Sequence, residues 1–220
     1  MSRELPADGV AAIALRFLAS GGKRLRPRLC ARVFSDCGGR GDVGKVCEAV
    51  ECFHKASLIH DDIQDGDRER YGRPTVWCEY GVPLAIAAGD WLLAHGIGLV
   101  DNARFPNVAE MSKLRSRALL ALCEGQGDEL AGSTDYVSIC ERKTGAMFAL
   151  SAGLGALAAG ADPAPYWEWG VTYGVLFQVR DDISDEGETP RLAALRSEYA
   201  AKLAALEVGS FAEGPFAVGV

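Results

Sequence analysis

Apolar residues recur every three to four positions along almost the whole chain, the spacing that places them on one face of an α-helix. Glycine and proline interrupt the pattern and mark where helices end or begin. Helices are predicted over Leu5–Ser20, Pro27–Cys37, Val43–Gln64, Leu84–Asn102, Ala109–Leu130, Ser133–Gly160, Pro165–Ile183 and Pro190–Glu207. Asp67–Pro83 is predicted to be a polar loop, and no stretch alternates long enough to predict a sheet. The pattern predicts a single all-α domain, a helical bundle spanning residues 1–220.

Composition narrows the range of partners. Of the 220 residues, 49% are apolar and 24% are charged, and the net charge is −7. Such an acidic chain lacks the basic face that nucleic-acid binding needs, so no nucleic-acid partner is expected. The apolar span Val82–Val100 contains Asp90 and His95, which favours a buried bundle helix over stable membrane insertion. Seven cysteines without a C-x-x-C pair indicate thiols in a reducing, cytoplasmic environment.

A five-residue acidic pattern, D-D-x-x-D, occurs twice, each time at the end of an apolar, helix-like run. Its members are Asp61, Asp62 and Asp65 in the first copy and Asp181, Asp182 and Asp185 in the second. Clustered carboxylates are costly unless a cation lies among them. One copy alone is usually a solvated helix end, but two copies on facing helices would supply the oxygen ligands that Mg²⁺ shares with a diphosphate. A calcium loop is disfavoured because neither copy has the central glycine and closing glutamate of an EF-hand.

Several basic and polar residues are candidates for binding the phosphates. Lys23 and Arg26 lie in a Gly-Gly turn before a helix, where backbone amides and the helix N-terminus favour anions. His54 precedes the first acidic cluster by two helical turns, near the same face. The remaining candidates are Arg70, Lys143, Thr144 and Gln178. Taken singly, each also fits an ordinary packed or solvated residue.

Together these motifs resemble the trans-isoprenyl diphosphate synthase (polyprenyl synthase) family. The resemblance follows the ordered segments GGKRLRP, SLIHDDIQD, GRPT, GQGDEL, KTG and FQVRDDISD, which span most of the chain. It implies an isoprenoid synthase bundle around a central apolar cavity, usually as a homodimer. It also implies that the two acidic clusters face each other at the cavity mouth and hold three Mg²⁺ ions on an allylic diphosphate.

The resemblance assigns roles to the candidates. Asp61, Asp65, Asp181 and Lys143 are expected to be catalytic, and all six aspartates of the clusters are expected to bind metal. Lys23, Arg26 and His54 would hold isopentenyl diphosphate. Arg70, Lys143, Thr144 and Gln178 would bind the allylic diphosphate. The expected activity is a Mg²⁺-dependent condensation of the two substrates.

Two departures from the family pattern keep other functions open. Tyr71 follows Arg70 where the family usually has a second arginine, so one cationic contact to a diphosphate is missing. A lysine-bearing segment is absent after the second acidic cluster, and the C-terminal region is short; Arg191 or Lys202 could replace those lysines. The alternatives are a class I terpene cyclase acting on one allylic diphosphate and a non-catalytic partner subunit.

Side chains one to two turns before the first acidic cluster are expected to line the cavity wall and limit product length in this family. Ala56 and Ser57 are small, and Phe53, one turn further back, or residues of the helix Leu84–Asn102 could form the cavity floor instead. Small residues here favour a geranylgeranyl or longer product.

Overall fold

The computed structural model describes residues 9–206, 208 and 216 of the chain, and these residues are almost entirely helical. The helices are α1 (Gly9–Ala19), α2 (Leu25–Asp36), α3 (Gly44–Gln64), α4 (Val76–Tyr80), α5 (Val82–Asp101), α6 (Val108–Leu130), α7 (Tyr136–Cys140), α8 (Ala146–Ala159), α9 (Ala164–Glu186) and α10 (Pro190–Ala205). A π-helical turn, Glu141–Gly145, joins α7 to α8. Two strands of two residues, β1 (Glu69–Arg70) and β2 (Arg73–Pro74), pair antiparallel between α3 and α4. The predicted all-α class is confirmed.

The bundle is built around α8, whose side chains are buried from Ala146 to Ala158. Helices α2, α6 and α9 pack around it, and α3 contacts it on a further side. Helix α3 in turn packs along α5. Because α8 is apolar on every face, it can be stable only when neighbours cover it completely.

Local signals place most helix ends near the predicted positions. Thr189 accepts a hydrogen bond from the backbone N–H of Leu192 and Pro190 occupies the first turn, so α10 begins where predicted. Gly160 adopts a left-handed conformation that ends α8. Residues 5–8 and Glu207, which the predictions included in the first and last helices, lie outside the described residues, as does most of the tail after Val208.

One predicted element is wrong and another lacks a detail. The predicted helix Ser133–Gly160 is helical without a break from Tyr136 to Ala159, but a π-helical turn that was not predicted lies between α7 and α8. The predicted loop Asp67–Pro83 contains the small hairpin and the helix α4. The π-helical turn packs against α6 and α9, and α4 packs against α3 and α5, and local periodicity does not report contacts of this kind.

Helix α5 corresponds to the apolar span noted in the sequence. By length and composition alone it could cross a membrane, and 28% of its most apolar stretch is buried within the bundle. It packs against α1, α3, α4 and α6. Contacts with four neighbouring helices are what we expect of a helix within a bundle.

Candidate active site

A cavity of about 620 Å³ lies between α2, α3, the π-helical turn and α9. Charged and polar residues line much of it: Lys23, Arg24, Arg26, Glu51, His54, Ser57, Asp61, Arg70, Lys143, Thr144, Gln178 and Asp181. Its apolar wall includes Leu25, Leu58, Leu122, Met147 and Phe177. The structure thus brings residues from both acidic clusters and from the basic turn to one cavity.

The first acidic cluster ends α3, where its carboxylates point in different directions. Asp61 lines the cavity, and Asp65 is exposed at the helix end. Burial raises the pKa of Asp61, with Lys143 opposing the rise and Asp65 adding to it. Asp62 lies elsewhere: its carboxylate is fully buried and accepts a hydrogen bond from Arg70 Nε at 2.5 Å.

The second cluster lies near the end of α9 and shows the same division. Asp181 lines the cavity, and burial and the neighbouring Asp185 raise its pKa. Asp182 instead accepts hydrogen bonds from the Tyr136 hydroxyl at 2.5 Å and from Gln178 Nε2 at 2.8 Å. All six aspartates were predicted to bind metal, but the structure places Asp62 and Asp182 against protein donors. Adjacent residues on a helix point about 100° apart, and here that step turns Asp62 and Asp182 toward these protein donors while Asp61 and Asp181 line the cavity.

The remaining carboxylates have the chemistry that Mg²⁺ requires. They offer hard oxygen ligands on two elements, and for Asp61 and Asp181 burial disfavours the charged form unless a cation is present. Among residues 9–206, 208 and 216, no three acidic, histidine or cysteine side chains converge tightly enough to hold a metal alone. Mg²⁺ commonly uses one or two carboxylates and completes its shell with water and substrate phosphate. The residues therefore fit a metal site shared with a diphosphate.

The basic residues lie at the α2 side of the cavity. Arg26 is half-buried; its guanidinium lies 4.5 Å from the centre of the Phe148 ring and donates to His54 Nε2 at 3.2 Å. Burial lowers the pKa of Arg26 to about 10. Within the described residues, no acceptor lies at hydrogen-bonding distance from its Nε. This donor, buried and unsatisfied, is suited to an anion in the cavity.

His54 acts as a neutral acceptor toward Arg26. Burial holds its pKa well below the ordinary value, and the positive charge of Arg26 adds to the effect. Arginine can only donate, so His54 Nε2 accepts and its proton lies on Nδ1. The predicted donation from His54 to a diphosphate would have to come from Nδ1.

The π-helical turn positions Lys143 and Thr144. The Thr144 hydroxyl donates to Gln178 Oε1 at 2.8 Å, which continues the hydrogen-bonded chain to the second acidic cluster. Lys143 lines the cavity and pairs with Glu129 of α6. Single π turns within α-helices change the direction of the following side chains and are frequent at functional sites. Such a turn lets consecutive residues of the K-T-G motif serve one site.

Three residues were predicted to line the cavity wall, and the structure places only Ser57 there. Phe53 and Ala56 are completely buried in the core on the other side of α3. The ring of Phe53 packs so closely on Gly96 of α5 that a Cβ there would lie 2.7 Å from it. The apolar wall comes instead from Leu58, Leu122, Met147 and Phe177, none of which was predicted to line it.

Of the two cations that could replace the missing lysine segment, Arg191 is close to the site. It lines a second cavity of about 580 Å³ together with Lys143, Thr144, Gln178 and Asp182. Lys202 is half-exposed and pairs with Glu198 along α10. Arg191 is therefore close enough to the second acidic cluster to replace a missing lysine there.

Comparison with known proteins identifies the fold and the family. The polyprenyl synthetase family model matches residues 9–191. A short chain isoprenyl diphosphate synthase of Methanocaldococcus jannaschii is 36% identical, over 76% of this chain and 55% of the relative. The chain thus spans about half the length of this curated relative.

Two solved structures share the bundle. A geranylgeranyl pyrophosphate synthetase from the archaeon Geoglobus acetivorans superposes with a TM-score of 0.81 at 25% identity, over 97% of this chain and 90% of that one. A polyprenyl synthase from Caulobacter crescentus, complexed with calcium and isoprenyl diphosphate, gives a TM-score of 0.75 at 30% identity, over 86% and 60%. These matches confirm the predicted resemblance, and the chain belongs to the polyprenyl synthetase family.

Proposed function

We propose that this protein is a Mg²⁺-dependent prenyltransferase that joins an allylic diphosphate to isopentenyl diphosphate. One observation carries the proposal: Asp61 and Asp181, from separate acidic clusters, line the same cavity as Lys23, Arg26 and His54. An enzyme that binds a single diphosphate needs only one charged region. This cavity has two, the carboxylates that could bind metal and a separate group of cations, which fits two diphosphate substrates.

The acidic side of the cavity is assigned to the allylic substrate. Asp61, Asp65, Asp181 and Asp185 would hold Mg²⁺, which neutralises the diphosphate and makes it a better leaving group. Lys143, Arg70 and Gln178 would stabilise the charge that develops on the diphosphate as the allylic carbon–oxygen bond breaks. Asp62 holds Arg70 Nε and so orients the rest of that guanidinium. Thr144 and Asp182 hold Gln178 in the same way.

The basic side is assigned to isopentenyl diphosphate. Lys23, Arg26 and Nδ1 of His54 would bind its phosphates and leave its double bond near the allylic carbon. As the allylic carbon–oxygen bond breaks, diphosphate leaves and the double bond of isopentenyl diphosphate forms a carbon–carbon bond to the allylic carbon. One proton then passes from the isopentenyl unit to the released diphosphate. The apolar wall of Leu58, Leu122, Met147 and Phe177 keeps water from the cation.

Support for this substrate class comes from the relatives. The relative from Methanocaldococcus jannaschii is named for isoprenyl diphosphate synthesis, and the Caulobacter crescentus structure contains isoprenyl diphosphate and calcium. For product length we propose geranylgeranyl or longer. The small side chain of Ser57 at the wall and the name of the Geoglobus acetivorans structure favour it.

A paired incubation with Mg²⁺ tests the proposal. One sample contains farnesyl or geranylgeranyl diphosphate alone, and the other also contains isopentenyl diphosphate; mass spectrometry identifies the products. A longer prenyl alcohol after dephosphorylation, found only in the second sample, is the expected result. Consumption of the allylic substrate to a hydrocarbon or cyclic alcohol in the first sample would overturn chain elongation.

A hydrocarbon or cyclic alcohol formed without isopentenyl diphosphate would indicate a terpene cyclase. One observation favours this alternative function. Tyr71 offers a neutral hydroxyl at the cavity where a second cation would help to hold isopentenyl diphosphate. Absence of turnover in both samples would indicate a non-catalytic partner subunit. We further propose a single domain, a cytoplasmic location and a homodimeric assembly, the last of which is tested below.

A further inference from the structure

Lys55 is a buried cation that the proposed reaction does not use. It lies on α3 between His54 and Ala56, and only 1% of its surface is exposed. Burial lowers its pKa, and Glu51, one helical turn earlier, opposes the lowering. Removing an ammonium group from water is costly unless the protein replaces the lost hydration.

The protein replaces that hydration with contacts to the loop between α1 and α2. Lys55 Nζ donates to the carbonyl oxygens of Ser20 at 2.6 Å and Gly21 at 3.1 Å. It also lies 5.0 Å from the ring centre of Phe17 and 4.5 Å from that of Tyr71, within the range of cation–π attraction. One side chain of α3 therefore fastens the end of α1 and the start of the basic turn.

Tyr71 covers the same turn. A Cβ on Gly21 would lie 2.6 Å from Cγ of Tyr71, so the ring rests directly on the glycine backbone. Tyr71 itself has a left-handed backbone with φ of 55°, which is costly for a residue with a large side chain. The surrounding contacts must hold it there.

The fastened turn carries exposed cations that reach the cavity. Gly22 has φ of 90° and Arg24 has φ of 49°, so the segment departs sharply from both flanking helices. Lys23 and Arg24 are exposed at its end and line the cavity, and Arg26 follows in the first turn of α2. Residues 21–24 are all exposed, so the turn buries too little surface to fix the direction of these cations by itself.

We propose that Lys55 and Tyr71 form a clasp that holds the turn at residues 20–24, so that Lys23 and Arg26 are presented to the second diphosphate. The clasp is a positioning device, because neither Lys55 nor Tyr71 has to touch the reacting atoms. The predicted effect of the clasp on binding of isopentenyl diphosphate rests on the proposed function. Its predicted effect on the position of the turn does not.

Limited trypsin digestion tests the clasp without any assay of activity. Trypsin cleaves after Lys23 and Arg24, which are exposed but held in place. In Lys55→Met the rate of cleavage at these two bonds should rise about tenfold or more, because local opening becomes easier. Lys113→Met, which removes an exposed lysine paired with Glu110 on α6, should leave the rate unchanged. An unchanged rate in Lys55→Met would overturn the proposal.

Steady-state kinetics then separates positioning from general damage. In Lys55→Met, KM for isopentenyl diphosphate should rise about tenfold, while kcat and KM for the allylic diphosphate stay within about twofold of wild type. A uniform loss in all three constants would show a merely structural role. If wild type shows no prenyl transfer, the proposed function fails and the trypsin result still decides whether the clasp exists.

A second pair of variants covers the case in which Lys55→Met does not fold. Tyr71→Leu removes the ring from both Lys55 and Gly21, whereas Tyr71→Phe keeps the ring and loses only the hydroxyl. Tyr71→Leu should show the faster cleavage and the higher KM for isopentenyl diphosphate, and trypsin should cleave Tyr71→Phe at the wild-type rate. Equal behaviour of Tyr71→Leu and wild type would contradict the clasp.

Discussion

At the scale of single residues, neighbours within the acidic clusters have different surroundings and should respond differently to mutation. Asp61 faces the cavity, where burial disfavours its charge, whereas Asp62 is buried in an ion pair with Arg70. Groups that bind a ligand often lower the stability of the ligand-free protein. In contrast, removing one partner of a buried ion pair destabilises the protein.

Substituting these two residues separates metal binding from folding. Asp61→Asn should lower Mg²⁺-dependent turnover by about a hundredfold or more and leave the free energy of unfolding unchanged or slightly higher. Asp62→Ala should lower the free energy of unfolding by about 2–4 kcal/mol, because Arg70 loses its buried partner. Denaturant titration and initial rates measure the two effects. Full activity in Asp61→Asn would exclude that residue as a metal ligand.

His54 should make stability depend on pH. Its folded pKa is held well below the ordinary value by burial and by the charges of Arg26, Lys55 and Arg70 around it. The unfolded chain therefore binds a proton first as pH falls, so its contribution destabilises the fold below about pH 6.5, by at most about 1.4 kcal/mol per pH unit.

Denaturation midpoints measured between pH 5 and pH 8 check this effect. Burial raises the pKa of Asp62 to about 6 in both wild type and His54→Gln, so the comparison of the two proteins isolates His54. Below about pH 6.5 the stability of wild type should fall relative to that of His54→Gln. His95→Gln controls for loss of an imidazole, since His95 lies half-exposed beside Glu48. A slope that is the same in His54→Gln and wild type would contradict the burial argument.

The limits of sequence analysis are visible in these same residues. Each acidic cluster could be located because its pattern is local, and the family resemblance supplied roles. The different surroundings of Asp61 and Asp62 depend on where α3 meets the cavity and on Arg70 in the hairpin. Helical geometry excludes a shared direction for the two side chains, but it does not say which one faces the cavity.

At the scale of elements, the approach of α9 to the π-helical turn forms the site. Gly174 on α9 has no side chain, and a Cβ there would lie 2.4 Å from Cα of Gly145 in the turn. Periodicity correctly predicted helices on both sides of this contact. It did not predict the turn itself, because π-helical hydrogen bonding here accompanies a contact between residues far apart in the chain.

Adding a methyl group at this contact should therefore disturb both stability and the site. Gly174→Ala should lower the free energy of unfolding by about 1–3 kcal/mol, because backbone atoms have to move apart. It should also lower turnover, since the turn positions Lys143 and Thr144.

Gly127→Ala is the matched control for Gly174→Ala. Gly127 lies exposed within α6, and a Cβ there would have no neighbour within 4 Å. This substitution should raise the free energy of unfolding by about 0.4–1 kcal/mol, because alanine restricts the unfolded chain. Thermal or denaturant unfolding measures both variants, and a stabilised Gly174→Ala would show that α9 does not press on the turn.

At the scale of the whole molecule, the bundle leaves an apolar stripe on α5 without a partner among the described residues. Val82 and Ile86 lie one turn apart on this helix and are 39% and 45% exposed. Ala94, two turns beyond Ile86, is exposed on the same face, and Asp90 lies between them. Val82 and Ile86 thus form a small exposed apolar patch bordered by Asp90, and a patch of this kind favours an interaction surface.

We predict that two copies of the chain pair through this face of α5. A closed pair places the same stripe on both subunits, so a single charge introduced into it is introduced twice and opposes itself. Light scattering after size exclusion should give twice the chain mass of 23.4 kDa for wild type and the single mass for Ile86→Glu. Leu130→Glu, at an exposed apolar position on another helix, should leave the dimer intact. A dimer that survives Ile86→Glu and dissociates in Leu130→Glu would move the interface to α6, where the interface would adjoin the K-T-G turn through Glu129 and Lys143.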